Sequence, residues 1–478
     1  MRRGRTARGR ERRQIVGASF LATRRRREPG LLSLGDQGET ATLTHDMVGA
    51  SDPFAWTDAF LAANRAELQR VSVTASVHVQ RREAALVLTS GEKIGAVPLR
   101  SPVTRKVSAG LLVKPRYGWP SVGRVLSDVG FKVEPEVGGL ALVPGSAREV
   151  PPWVLAGPVV ARVAAVIERL SRAFVPVEDE RASPRGRVDW NDYARRAVPT
   201  GRWTAFRCAY SELADNPDLA AALRWTLTRV GDDLSTVADL VVVRQLLDRI
   251  GDLLRRLGPG PSRRPSRHVL EPMAILSEWL LLALEAVAWV RDERGLGGAT
   301  ALDGLPWSLT VSAMWEAWVE SFLVALAARL GGRLSSARQG ATRRPIVWQS
   351  GVRSLGHLSP DFLLVLPGRS VWVDAKYKDH LNRLRSTEWG GLESVIRESH
   401  RADFHQALAY ALLARTPRVD TILVYPEREG TDEPAFATAS MTAGDRDVRL
   451  VMGSLPFGFA APARREAALD RWERVLRA

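Results

Sequence analysis

The stretch at 358–378, LSPDFLLVLPGRSVWVDAKYK, constrains the fold more than any other part of the chain. Phe362-Leu363-Leu364-Val365-Leu366 is apolar and β-prone, Pro367-Gly368 is a turn signal, and 370–373 resumes with valine and tryptophan. The pattern predicts an antiparallel hairpin. Pairing around the turn brings Asp361, just before the first strand, close to Asp374 at the end of the second. Asp374 and Lys376 are two residues apart, so in a strand their side chains leave on one face. Two carboxylates and an ammonium then converge at one edge of the hairpin. Such carboxylates suit a hard cation with oxygen ligands, Mg2+ or Mn2+. That ion would polarise a phosphodiester and activate water, while Lys376 orients the water or neutralises charge on the phosphoryl oxygens. Asp361, Asp374 and Lys376 are therefore the candidate catalytic residues. A solvated hairpin with surface ion pairs has the same residue pattern, so the flanking segments decide between the two.

Upstream, 311–330 (VSAMWEAWVESFLVALAARL) has apolar residues at helical spacing and stops at Gly331-Gly332. Glu316 lies between Trp315 and Trp318 on a part of that helix expected to be buried, where a carboxylate needs a partner. It is read as an accessory metal ligand, with Glu320 as its competitor. Downstream, 401–413 (RADFHQALAYALL) reads as a helix carrying Asp403, Gln406 and Tyr410, the last two four residues apart and so on one face. The segment 419–425 reads as a further buried strand.

In this order (helix, strand with Pro360-Asp361, strand with Asp374-Ala375-Lys376, helix with Gln406 and Tyr410, strand) the chain resembles the PD-(D/E)xK nuclease superfamily. Within it the chain is most similar to the McrC family, the nuclease subunits of McrBC-type modification-dependent restriction systems. DAKYK at 374–378 and DFHQALAY at 403–410 carry that closer likeness, together with RGRVD at 185–189 and SELADNPDLAAAL at 211–223. One departure is Lys114-Pro115, where the family often shows the reverse order. The resemblance implies a restriction-endonuclease-like α/β core. It implies metal ligation by Asp361, Asp374, the backbone carbonyl of Ala375 and Glu316, with Gln406 and Tyr410 in support. It also implies DNA as substrate, Mg2+ or Mn2+ as cofactor, and a separately encoded AAA+ GTPase as partner, since the chain has no G-x-x-x-x-G-K-[ST] loop of its own.

With 478 residues, 45% of them hydrophobic, the chain is expected to be multidomain α+β. The expected parts are a basic, disordered leader (1–49), an α+β domain (50–151), a mainly helical middle region (152–300) and the nuclease domain (301–478). The leader holds much of the +15 net charge: eleven arginines stand against Glu11 and Glu28 in the first thirty residues. A basic arm on nucleic acid, a disordered tail, or translation starting at Met47 would each account for it. The single cysteine, Cys208, excludes a disulfide framework and cysteine-based zinc sites and fits a reducing cytoplasm. The seven histidines show no H-x-x-x-H or HExxH spacing, so no zinc is expected. No membrane segment is expected either, because the apolar run at 274–290 is shorter than a span and carries Glu278 and Glu285.

The function expected is a metal-dependent endodeoxyribonuclease, the cleavage subunit of a restriction or defence complex. The alternatives are a stand-alone DNA repair or processing nuclease, and a non-catalytic adaptor that activates a partner NTPase. The intact Asp361, Asp374 and Lys376 set argues against the adaptor.

Overall fold

The computed structural model describes residues 30–478 apart from 80–82, 139–140, 170–172, 215–216, 271–276, 293–302, 350, 352–353, 388, 415, 417, 428–433 and 444–445. The chain is a mixed α/β protein forming two compact units. One comprises 1–151, 240–242 and 302–478; the other comprises 152–239 and 243–301.

The first part of the chain supplies β1 (Gly30–Gly35), β2 (Thr40–Leu43), α1 (Trp56–Arg70), β3 (Thr74–Val79), β4 (Ala84–Thr89), β5 (Lys93–Arg100), β6 (Val107–Lys114), α2 (Gly118–Asp128) and β7 (Glu136–Val137). β2, β4 and β3 make a small antiparallel sheet. β5 and β6 pair antiparallel, and β1 joins β6 in parallel. Leu34, Trp56, Phe60, Leu86, Leu99 and Leu111 share one core. Asn64 of α1 is fully buried and bonds β5 on both sides: its Nδ2 donates to the Arg100 carbonyl at 3.0 Å, and its Oδ1 accepts the Arg100 N–H at 2.7 Å. The expected disordered leader is therefore too long. Residues 30–49 are folded, because Leu32 and Leu34 of β1 go into this core. Residues 1–29, the most basic part of the expected leader, lie outside the described residues.

The second unit contains α3 (Pro152–Arg169), β8 (Ala173–Arg181), β9 (Arg187–Val188), α4 (Trp190–Asp192), β10 (Phe206–Ala214) and α5 (Pro217–Ser235). It continues through α6 (Val241–Leu257), whose first residues belong to the other unit, to α7 (Arg267–Leu270) and α8 (Glu278–Arg291). α3 packs on α8 and α5. The expected mainly helical region also holds an antiparallel sheet, β8-β10-β9. β8 and β10 escape a reading based on apolar alternation because exposed charges decorate them: Arg207 of β10 faces Glu178 of β8 at 3.7 Å.

The remaining elements are β11 (Trp307–Thr310), α9 (Val311–Arg329), β12 (Arg333–Ser336), β13 (Arg344–Pro345), β14 (His357–Leu358), β15 (Phe362–Leu366), β16 (Arg369–Ala375), α10 (His380–Ser386), α11 (Ser394–Ala411), β17 (Arg418–Glu427), β18 (Phe436–Ala443), β19 (Arg446–Pro456) and α12 (Pro462–Arg477). β11 does not join its neighbours in sequence. It pairs antiparallel with β5 and β7, giving the first sheet the order β1-β6-β5-β11-β7. Gly95 permits this approach, since a Cβ there would stand 2.3 Å from the Trp307 carbonyl oxygen. The expected domains at 50–151 and 301–478 consequently share one unit.

The second large sheet is mixed, with order β12-β15-β16-β17-β19-β18. β15 and β16 form the predicted hairpin, paired from Phe362 opposite Val373 to Leu366 opposite Arg369. Gly368, at φ 76°, takes the left-handed turn position that follows a proline in a type II turn. β16, β17 and β19 run parallel to one another. One face is covered by α11, whose Tyr410 and Ala411 pack with Trp372, Val419 and Val448. On the other lies α12, where the Trp472 ring would meet any Cβ at Gly453 of β19, and α9 packs beside α12. α9 is long and apolar enough to cross a membrane by length and composition. Here it is a core helix: Met314, Trp315, Trp318, Val319 and Phe322 are completely buried.

Candidate active site

The hairpin ladder stops at Phe362 and Val373, so Asp361, Asp374 and Ala375 sit just beyond its last rung. The Ala375 N–H donates to Asp361 Oδ2 at 2.8 Å, which fixes the Asp361 side chain across the strand end. Asp374 is only 4% exposed. Burial, then the charge and hydrogen bond of Asp374 and the charge of Glu316, push the Asp361 carboxyl up to about 9. Carboxyls buried and crowded in this way form a site short of positive charge. The donor set, all oxygen and crowded, fits a hard divalent cation.

Lys376 continues the strand, its N–H donating to the Val424 carbonyl at 2.8 Å. Its Nζ lies 2.6 Å from Asp374 Oδ2, donates to Gln406 Oε1 at 2.8 Å, and stands 3.9 Å from Asp403 Oδ1. Burial alone would lower the ammonium, but Asp374, Asp403 and Asp361 more than offset it, and the net shift is upward. Gln406 is anchored in turn, its Nε2 donating to Tyr410 Oη at 2.6 Å. Burial, with the Asp374 charge next, pushes the Tyr410 hydroxyl up to about 12.

Glu316 projects from the second turn of α9 and is half-buried. Burial raises its carboxyl; Arg338 opposes that, while Asp374 and Glu92 add to it. The structure thus brings Glu316, Asp361, Asp374, Lys376, Gln406 and Tyr410 to one end of the β15–β16 hairpin, with α9 and α11 supplying the first and last two.

Two groups beside this constellation were not read from the sequence. Lys378 Nζ donates to Asp403 Oδ1 at 2.7 Å and to Ser399 Oγ at 3.0 Å, while His380 Nδ1 lies 3.3 Å from Asp403 Oδ2. Burial acts to raise the Asp403 carboxyl, but the hydrogen bonds from His380 and Lys378 hold it below its ordinary value. Burial, with the His380 charge next, pushes His400 down to about 4. The alternation of Lys376, Tyr377 and Lys378 carried the available signal: the lysines share a face, so Tyr377 must face elsewhere. Tyr377 Oη donates to Asp36 Oδ2 at 2.6 Å, and Asp36 Oδ1 accepts the Arg116 N–H at 2.8 Å. The Arg116 guanidinium lies 4.4 Å from the Tyr377 ring centre. The motif strand is thereby tied to the segments after β1 and β6.

No family model and no curated protein matches the chain. Two solved structures from Thermococcus gammatolerans are similar at low identity. One is a half-complex from a tetradecameric assembly of McrB AAA+ hexamers with bound McrC: 12% identity, 93% of this chain and 100% of that chain covered, TM-score 0.42. The other is a cryo-EM structure of the McrBC complex: 13% identity, 62% of this chain and 88% of that chain covered, TM-score 0.26. Both scores are too low to fix a shared fold, so any assignment of function rests on the chemistry of the site residues.

Proposed function

We propose that this chain is a metal-dependent endodeoxyribonuclease with a PD-(D/E)xK site, acting in the cytoplasm as the cleavage subunit of a restriction complex beside a separately encoded AAA+ GTPase. The observation that carries the nuclease reading is the convergence of Asp361 and Asp374 just beyond the last rung of the hairpin, with Lys376 Nζ 2.6 Å from Asp374 Oδ2. The partner rests on the resemblance of DAKYK, DFHQALAY and RGRVD to the McrC family and on the lack of a nucleotide-binding loop.

Asp361, Asp374, Glu316 and the Ala375 carbonyl would hold Mg2+ or Mn2+. When bound, the ion supplies Lewis-acid polarisation of the scissile phosphate and favours deprotonation of the attacking water. Lys376 keeps its proton near neutral pH because of the carboxylates around it. It therefore serves as a cationic donor to the water or the phosphoryl oxygens, not as a general base. Gln406 holds Lys376 in place, and Tyr410 holds Gln406. Water adds to phosphorus and releases one proton to solvent, while the P–O bond to the leaving sugar oxygen breaks and that oxygen takes up a proton from solvent.

The test is cleavage of plasmid DNA by the full chain with Mg2+, alone and with the AAA+ protein from the same locus plus GTP. Asp361→Ala or Asp374→Ala should abolish cutting, Lys376→Ala should slow it by ~10²–10³, and EDTA should stop it reversibly. Persistent cleavage by the Asp374→Ala protein would overturn the site. Strong cutting without nucleotide or partner would overturn the subunit role and leave the chemistry standing.

A further inference from the structure

We propose that His380, His400 and Asp403 form a second metal site, selective for a borderline transition-metal ion such as Zn2+ and separate from the Asp361–Asp374 pair. Each residue offers one ligand atom, and these atoms lie within 4.8 Å of one another. All three residues are buried, at 8%, 4% and 3% exposure. His380 opens α10, while His400 and Asp403 stand one turn apart on α11, so one ion would clamp the two helices together. Ligands of a tetrahedral zinc stand roughly 3.4 Å apart when bonds are near 2.1 Å. Rotation of the two imidazoles closes the remaining gap.

Three features of the surroundings suit an ion. Asp403 gives Oδ1 to Lys378 at 2.7 Å and turns Oδ2 toward His380 at 3.3 Å, so one oxygen is anchored while the other faces the histidines. Supporting bonds of this kind orient metal ligands and keep them ionised. The Tyr425 ring, on β17, lies 6.1 Å from the His380 ring and 6.4 Å from that of His400. Its hydroxyl is completely buried and has no hydrogen-bond partner among the described residues. A buried phenol left so is costly unless something completes the site, and a water on the ion's open position would do that.

The donor set decides the metal class. Two imidazoles with one carboxylate favour zinc and its neighbours, whereas Mg2+ takes oxygen. The pair beyond the hairpin and this triad therefore sort two kinds of ion on the same unit. Metal binding by the triad does not depend on nuclease activity.

The test uses the full chain, stripped with chelator and returned to buffer. Zn2+ retained after gel filtration is counted by elemental analysis, and Co2+ is titrated while its visible d–d absorption is followed. One equivalent of Zn2+ and an intense, low-symmetry Co2+ band are expected. His380→Gln and His400→Gln should each weaken Zn2+ by more than the roughly 10–100-fold that loss of a supporting partner costs. Asp374→Asn, and His405→Gln on the exposed side of α11, should keep the full equivalent. Zn2+ bound equally by the His380→Gln/His400→Gln double variant would overturn the site, as would loss of Zn2+ in Asp374→Asn. If the histidine variants fail to fold, the wild-type Co2+ spectrum decides. The weak bands of an all-oxygen octahedral ion, or no binding at all, would refute the assignment.

Discussion

The pairing of Asp361 with Asp374 makes the metal-free site a proton store. Asp361 is pushed up to about 9, so between roughly pH 4 and 9 the folded protein holds a proton that the unfolded chain has released. A raised acid stabilises the fold at low pH, and that contribution fades as pH climbs toward 9. Glu316 is shifted in the same direction and adds to the trend. Asp403 is shifted the other way and matters only on the acid side of the ordinary carboxylate range. Without divalent ions, thermal stability should therefore fall from pH 5 to pH 9, and Asp361→Asn should make that slope shallower. Mg2+ should raise Tm more at pH 8.5 than at pH 6, because binding must displace the proton. Parallel Tm–pH profiles for wild type and Asp361→Asn would contradict the raised Asp361 carboxyl. At this scale Asp361, Asp374 and Lys376 were legible because strand alternation and a Pro-Gly turn fix where they point. His380 and His400 were not, since the segment between them matches no motif. Only the His400-x-x-Asp403 spacing hinted at them.

Among the elements, α11 does most to position chemistry. The sequence suggested a helix at 401–413; the structure has Ser394–Ala411, beginning about two turns earlier. Its early residues, SVIRESH, lack apolar periodicity because that end holds Ser399 and His400 against Lys378 and the histidine pair instead of against an apolar core. The later residues follow the periodic rule: Ala407, Tyr410 and Ala411 are buried on the sheet. β8 and β10 of the small sheet were missed for a related reason, since exposed charge hides alternation, whereas β9 lies inside the RGRVD motif at 185–189 that the resemblance marked as a short strand. Because Gln406 links the helix to Lys376, Gln406→Leu should keep the fold, with Tm within a few degrees of wild type. Single-turnover cleavage should nonetheless fall by about 10², the cost of a misplaced catalytic group. A Gln406→Leu protein that cuts at the wild-type rate would show that Lys376 needs no such anchor.

On the scale of the molecule, the change from strand-rich to mainly helical patterning after 151 was visible in the sequence, but the joining of the first and last parts was not. A strand such as β11 gives no sequence signal for which sheet it will enter; Gly95 opposite Trp307 explains the choice only once the pairing is known. The same blindness applies at the start of the chain, where arginine-rich composition masks β1. That strand settles what a shortened protein will do. A chain beginning at Met47 loses β1 and β2, strips β6 of its parallel partner, and removes Asp36, the acceptor of the Tyr377 hydroxyl beside the motif strand. Leu32 and Leu34 are each buried, and losing both costs roughly 3–6 kcal/mol at about 1.5–3 kcal/mol apiece. That is comparable with the ~5–15 kcal/mol that holds a typical domain together. The Met47 chain should therefore be insoluble or melt far below the full protein. A chain beginning at Gly30 keeps β1 and sheds nine net positive charges. It should melt as the full chain does while binding non-specific DNA less tightly and with a shallower salt dependence. Thermal melts and salt-dependent DNA titrations of the three chains check both halves: a Met47 chain as stable as the full protein would mean that β1 is no part of the core.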